Sequence, residues 1–268
     1  MVVVKIGDGL GNQIYNYVCG YAVAKHNNEA LKLDTSECDN SALRVYMLGF
    51  FDLDTHMRES FPNKTFWQKV YKRLRRNIKY HVILEKDYLK YDEQVFRKKI
   101  FRDKYLHGYW QNLKYFQMYQ PDIIRQLKPS YDQSQEMINT CKLLREENTC
   151  AIHMRGGDID MLPVGYFEKA ISYMDKRKNN PTYIVFSNQM EKAKKYLKDM
   201  KVAYKTISDY GEFSDIDEFF LMSSCQGQII SNSSYSRWAA LISENKMVVA
   251  PDLKNYNEVL YPNDWNLI

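Results

Sequence analysis

The sequence has no long apolar run, no paired cysteine spacing and no internal repeat. A helix that spans a bilayer needs roughly 20 apolar residues, and no stretch here approaches that, so no spanning segment is expected. The start of the chain lacks the basic segment and extended apolar stretch of a secretion signal, because Gly7 and Asp8 interrupt it, which predicts a cytoplasmic protein. The five cysteines, Cys19, Cys38, Cys141, Cys150 and Cys225, are odd in number and scattered, with neither a CxxC nor a CxxH pair. That spacing argues against a disulfide frame or a zinc site and predicts free thiols of a reducing compartment. Charge of one sign is also lacking: 38 basic residues face 33 acidic ones, for a net +5. So mild and diffuse an excess favours an anionic partner without the concentrated basic face of a nucleic-acid binder, and no nucleic acid is expected.

What remains is a 268-residue chain with ordinary apolar and charged content, 45% and 26%, which is long enough to bury one or two sizeable cores. Val2–Ile6 reads as a buried strand, residues 12–27 as a helix and Leu31–Asp34 as a second strand. This strand–glycine turn–helix–strand unit is the building block of a parallel sheet. From about 40 to 100 the pattern weakens into aromatic and basic segments. One of them, Lys69–Arg76, puts Val70, Leu74 and Ile78 on one helical face beneath a basic one. It reads either as a solvated surface helix or as an electrostatic dock for the anionic inner membrane surface. Alternation resumes near Cys150, with strands at 149–154, 183–187, 203–207, 228–231 and 247–250 and helices at 165–178, 190–199, 215–225 and 235–243, a second doubly wound unit. Pro129–Glu147 holds no strong strand and takes the domain junction, giving domains 1–140 and 141–268.

Open parallel sheets bind ligands beyond the carboxyl ends of their strands, so the residues that follow each strand carry the functional reading. Three stretches qualify. Gly7–Gln13 (GDGLGNQ) is a glycine turn into a helix, where backbone amides and the positive helix end suit an anion. It matches neither GxGxxG nor GxxxxGK[ST], but Asn12 and Gln13 add amides able to bond sugar hydroxyls or phosphate oxygens. In Ile152–Asp158 (IHMRGGD), His153 and Arg155 share a strand face, and a guanidinium at a strand end suits phosphate. An Arg155–Asp158 pair that merely closes the turn is the plainer alternative. Ile229–Trp238 (IISNSSYSRW) carries a run of serines at a helix start, which suits capping and anion binding alike.

Taken together, these residues resemble the bacterial α-1,2-fucosyltransferases of glycosyltransferase family 11. The family's GGLGNQMFQYA is similar to residues 8–18, its GYWQ-x-x-KYF to Gly108–Phe116, and its HIRRGD to His153–Asp158. Its DxDE-x-x-LMS-x-C resembles Asp215–Cys225, and its ISNSSFSWWGA resembles Ile230–Ala240. Five blocks in the family's order span nearly the whole chain. Three departures stand out: Gly156 replaces the second arginine, Asn188-Gln189 replaces the acidic pair of FSDD, and Arg237 replaces the first tryptophan of SWW, where it would restore some positive charge.

The resemblance implies an α/β, GT-B-like fold of two facing Rossmann-like domains with parallel sheets, the first on the acceptor side and the second binding a GDP-sugar. It implies inverting transfer of L-fucose from GDP-β-L-fucose to the 2-hydroxyl of a terminal galactoside of a bacterial surface glycan, with no metal and no cofactor beyond the donor. Under it, Arg155 stabilises the leaving diphosphate. Gly9, Gly11, Asn12, Asn188, Ser233 and Ser234 contact the donor, and His153 faces the base. Gln13, Tyr109 and Trp110 are acceptor contacts, and Asp158 is a catalytic carboxylate, with Asp160 and Glu168 as alternatives that spacing does not separate. Two competing readings are a metal-dependent transferase using Asp158-Ile159-Asp160 or Asp215-Ile216-Asp217 as a DxD pair, and a non-enzymatic basic module that binds glycan or nucleic acid.

Overall fold

The computed structural model describes every residue except 56, 63, 64, 99, 100, 158, 159 and 246, and divides the chain into two compact units. The first holds Met1–Ser130 with Glu258–Leu260, and the second holds Tyr131–Asn257 with Tyr261–Ile268.

In the first unit β1 (Val2–Lys5) leads into α1 (Leu10–Asn27), β2 (Leu31–Asp34), α2 (Ser36–Asp39) and β3 (Arg58–Glu59). Then come α3 (Phe66–Lys79), β4 (Tyr80–Leu84), β5 (Asp103–His107) and α4 (Gln120–Gln126). The strands form one sheet in the order β3-β2-β1-β5-β4, every pair parallel. Helix α1 is buried along most of its length, as a helix apolar on all sides must be, and ends where Asn28 turns left-handed (φ 54°). The strand–turn–helix–strand reading of residues 2–34 therefore holds, with α1 starting two residues early. The weakly patterned middle contributes three strands that periodicity did not reveal. One reason is Lys104, 1% exposed on β5, whose ammonium is satisfied internally by the Val95 carbonyl (2.9 Å). A buried ammonium on a strand breaks the apolar pattern, and its burial demands such internal partners.

The basic segment is a helix, but turned opposite to expectation. A capping box between Thr65 and Gln68 starts α3. Its cations Lys72 and Arg76 turn toward the protein, to Asp34 and His107, while Leu74 and Ile78 face outward.

The second unit starts with α5 (Gln135–Glu146), capped by the Ser134 hydroxyl accepting from the Met137 amide. It continues β6 (Thr149–His153), α6 (Val164–Lys178), β7 (Thr182–Phe186), α7 (Met190–Asp199) and β8 (Tyr204–Thr206). Then follow α8 (Asp215–Ser224), β9 (Gly227–Ile229), α9 (Ser234–Ile242), β10 (Val248–Ala250) and the short β11 (Asn266–Leu267). The five strands and four helices expected between 149 and 250 are all present, within one or two residues. The junction expected at 140 falls instead between Ser130 and Tyr131, because α5 packs on α8 and belongs to the second core. The six strands are all parallel, in the order β11-β10-β9-β6-β7-β8. Numbered from β6, this is the 3-2-1-4-5-6 order of a dinucleotide-binding sheet, whose direction reverses between its first and fourth strands. On β6, Cys150 and Ile152, with Met154 just after it, enter the core with Phe167, Met174 and Val185, so Ala151 and His153 take the other face.

All five cysteines are buried free thiols. Among the described residues, no helix is long and apolar enough to cross a membrane.

Candidate functional site

The reversal point of the second sheet lies between β6 and β9, and of the sequence-marked residues His153, Ser231 and the start of α9 lie beside it. His153, the last residue of β6, is 5% exposed, and its Nδ1 lies 2.7 Å from the Ser231 hydroxyl just beyond β9. The Tyr235 ring lies against the imidazole at 5.7 Å between centroids. Burial, and after it the charge of Arg155, lowers the His153 pKa to about 3, so the ring is neutral at physiological pH. Arg155, two residues on and half-buried, follows just beyond the carboxyl end of β6.

Helix α9 begins beside this edge at Ser233, which is 7% exposed and whose side chain makes no capping bond. An N-terminus without a side-chain cap presents backbone N–H groups and a partial positive charge, which suits a phosphate. Ser234 is half-buried at the first helical position. The serine run therefore divides: Ser231 holds His153, Ser236 is buried within the helix, and Ser233 and Ser234 stand at the edge.

The turn after β1 is built differently. Its one left-handed residue is Asp8 (φ 61°) rather than a glycine, a conformation aspartate tolerates. Gly9 has ordinary extended geometry as the N-cap of α1, with no side-chain capping bond, and Gly11 lies buried within the first turn. The amides expected to hold ligand hold protein. The Gln13 side chain, 0% exposed, donates to the carbonyls of Asp8 (2.9 Å) and Val45 (2.8 Å) and accepts from the Met47 amide (2.9 Å). Asn12 accepts from the Gln111 side chain (3.0 Å), and Asn16 donates to the Gly108 carbonyl (2.8 Å).

Gln13 is thus committed to a loop and offers no edge to an acceptor. Trp110, 1% exposed and edge-on to Tyr115, is sealed in the same way. Of the three acceptor candidates only Tyr109, 46% exposed, presents its side chain. The Glu85 carboxylate holds this loop by accepting from the backbone amides of Tyr109 (2.6 Å) and Trp110 (3.1 Å), a role nothing in its sequence context marked. Gly108 is required there, because a Cβ would lie 2.3 Å from that of Glu85.

Asp158 lies outside the described residues, while Asp160 and Glu168 are exposed. Glu168 helps line a cavity of 690 Å³ with Thr182, Tyr183 and Tyr204, at the edge of the sheet where β7 and β8 begin and thus away from His153. Of the second DxD pair, Asp217 is spent on a capping box with Ser214 and on the Tyr131 hydroxyl (2.6 Å). Among the described residues, no cluster of three or more His, Cys, Asp or Glu side chains is arranged to hold a metal ion.

Residues 10–264 match the family described as "Glycosyl transferase family 11". The chain belongs to glycosyl transferase family 11. Two curated family relatives from Escherichia coli are similar over most of their length. The O-antigen biosynthesis glycosyltransferase WbnK is 28% identical, over 92% of this chain and 92% of WbnK. An alpha-1,2-colitosyltransferase is 26% identical, over 90% of this chain and 87% of that protein. Among solved structures, a NodZ α-1,6-fucosyltransferase soaked with GDP-fucose shares the fold, with a TM-score of 0.53 at 13% identity over 96% of each chain. The fold is of the GT-B type, with two parallel-sheet α/β units.

Against the family 11 pattern, the three departures acquire structural explanations. Where the pattern has a second arginine, a Cβ on Gly156 would meet the Gln189 side chain at 2.5 Å, so Gln189 occupies that space. Asn188, expected at the donor, grips the backbone of Gly156 instead, accepting from its amide (3.0 Å) and donating to its carbonyl (2.7 Å). Gly157, at φ 103°, then supplies the left-handed turn that glycine permits. Arg237 does not restore charge at the edge: it is 2% exposed, with its guanidinium 5.4 Å over the Tyr261 ring.

Two further residues escaped the sequence reading. Tyr235 lies within the Ile230–Ala240 block with no role assigned by the sequence, yet it is the ring that flanks His153, with its hydroxyl donating to the Asp215 carbonyl (2.8 Å). Glu218 sat within a family block without an assigned role. Burial, then the neighbouring Asp215 charge, pushes its carboxyl up to about 7. The run of acids at 215, 217 and 218 was the available signal for mutual repulsion.

Proposed function

We propose that this family 11 glycosyltransferase moves L-fucose from GDP-β-L-fucose to the 2-hydroxyl of a terminal galactoside, with inversion, in the synthesis of an O-antigen or similar surface glycan. The observation that carries the reading is the His153–Arg155–Ser231 cluster beside the N-terminus of α9, at the reversal point of the second sheet. The five-block resemblance, the two E. coli relatives and the NodZ fold neighbour support it.

The chemistry asks first for stabilisation of the diphosphate as it departs. Arg155 supplies a fork of donors for its oxygens, and the α9 amides with the Ser233 and Ser234 hydroxyls supply the rest. His153 stays neutral and, through Ser231 and Tyr235, fixes the floor of the donor site next to the base. Within the first unit, the amide end of α1 at Gly9–Asn12 and the exposed ring of Tyr109 are the candidate ligand contacts. The fucosyl carbon develops oxocarbenium character as the bond to phosphate lengthens, and the acceptor hydroxyl attacks from the opposite face. Asp158 is the carboxylate assigned to take its proton. Charge neutralisation by Arg155 and the helix amides makes a metal unnecessary, so activity is expected to survive chelation.

The relative named for colitose transfer favours a second reading, in which the donor carries a different deoxyhexose on GDP. Incubation with GDP-fucose, GDP-colitose or GDP-mannose and a panel of galactosides, with product linkage read by NMR, separates them. An α-1,2-fucosylated galactoside is the expected product. Turnover confined to another donor, or another linkage, overturns the proposal.

A further inference from the structure

Helix α3 displays the face that helices ordinarily hide. At 100° per residue, Phe66, Trp67, Val70, Tyr71, Leu74 and Ile78 fall within a stripe about 140° wide along about 21 Å of helix. Five of them are strongly exposed: Phe66 71%, Trp67 76%, Tyr71 65%, Leu74 56% and Ile78 74%. The opposite, basic side meets the protein. Lys72 pairs with Asp34 at 3.3 Å, Arg76 lies 3.1 Å from His107 Nδ1 and stacks over Tyr105, and Arg75 stacks over Phe61 at 4.1 Å. Asp34 is suited to this role. Burial raises its pKa, but Lys72 together with the hydroxyls of Ser36 and Tyr105 outweighs that and holds the carboxyl below its usual range.

We propose that the apolar face of α3 inserts into the interfacial layer of an anionic phospholipid bilayer. Three features select a bilayer over a protein partner. Exposed Lys69 and Arg73 flank the stripe, and no acidic residue occurs between Thr65 and Leu84, so the surface is complementary to a plane of lipid phosphates. Phe66 and Trp67, in edge-to-face contact, place aromatic rings at one end, where headgroup and acyl chain meet. Near the other end, Arg102 reaches the Asn77 carbonyl (3.4 Å), and its neighbour Phe101 is 94% exposed. A second copy of the chain is the poorer occupant, because pairing two such helices face to face would bring together two surfaces that each carry exposed Lys69 and Arg73 and no acid. This inference does not rest on the donor or acceptor assigned above.

The tryptophans make the test direct. Trp67 is exposed, whereas Trp110, Trp238 and Trp265 are 1%, 1% and 6% exposed, so a change in emission on vesicle addition reports α3. The full-length protein is mixed with phosphatidylcholine vesicles, with or without about one-third phosphatidylglycerol. Co-sedimentation and a blue shift are expected with the anionic vesicles, weakening as salt is raised. Leu74→Ser with Ile78→Ser should weaken binding about tenfold or more, and Lys69→Glu with Arg73→Glu should abolish the preference for anionic lipid. Trp67→Phe should keep sedimentation and lose the shift. All are exposed positions, so unchanged thermal midpoints certify the fold. No sedimentation at low salt, equal binding to both vesicles, or equal binding by wild type and the double serine variant overturns the proposal. So does a Trp67 already blue-shifted, without lipid, in a concentration-dependent dimer.

Discussion

The turns after β1 and β6 look alike in sequence, each a strand breaking into glycines and polar residues, yet they do opposite work. After β1 the polar side chains are consumed inside the protein. Gln13 makes three bonds to backbone groups, and Asn12 and Asn16 tie α1 to the Gly108–Gln111 loop. After β6 the internal bonds are made by residues set back from the edge: His153 to Ser231, and Asn188 to Gly156. Arg155 follows half-buried just beyond β6, and α9 begins at Ser233, whose side chain makes no capping bond. A polar residue next to a glycine turn is therefore a poor ligand candidate where, as at Gln13, its side-chain bonds are made to buried backbone groups.

The largest effect that tests this contrast belongs to Arg155. Arg155→Ala should lower kcat/KM by about 1,000-fold, the scale for losing one preorganised charge-stabilising group, while unfolding stays cooperative at an unchanged denaturant midpoint. Near-normal turnover by the purified variant would make the two turns equivalent.

Next in size is the buried histidine. With a folded pKa of about 3, below the ordinary value, His153 stays neutral in the native state while the unfolded chain takes up a proton. Its contribution to stability is complete above about pH 6.5 and is lost as pH falls toward 3, at about 1.4 kcal/mol per pH unit. Denaturant titrations across that window should show a steeper acid loss for wild type than for His153→Gln, and equal slopes would refute the assignment.

Gln13→Ala should cost about 2–4 kcal/mol of stability, because it removes a buried amide and strands the carbonyls of Asp8 and Val45. GDP affinity, measured by calorimetry on the folded fraction, should change little. The converse is expected of Ser233→Ala. Its hydroxyl makes no capping bond, so stability should move by less than about 0.5 kcal/mol, in contrast to the usual cap loss of about 1 kcal/mol, while the Kd for GDP rises.

A further pH-dependent effect is expected at Glu218. Its folded pKa is raised to about 7, so the native state holds a proton that the unfolded chain releases, and stability falls as pH rises from about 4.5 through 7. Glu218→Gln should therefore raise the thermal midpoint more at pH 8 than at pH 5. The same gain at both values would remove the burial argument.

The second sheet was legible because its strands are short buried runs and its helices carry one apolar face, so periodicity and burial agree. In the first sheet they diverge. Lys104 is buried on a strand and donates to the Val95 carbonyl, and α3 turns Lys72 and Arg76 inward to Asp34, His107 and Tyr105. Neither shows as an apolar pattern.

The sequence by itself determined the alternation of strands and helices, the shared strand face of His153 and Arg155, and the family blocks, because each depends on neighbours within a few residues. Only the tertiary structure decided how the polar groups are used. It committed the side-chain bonds of Gln13 and Asn188 inside the protein, buried Trp110 and Arg237, and turned the apolar side of α3 outward. A hydrogen-bonding group has a fixed number of bonds to give, and whether a partner distant in the chain has already taken them is settled only when the chain is folded.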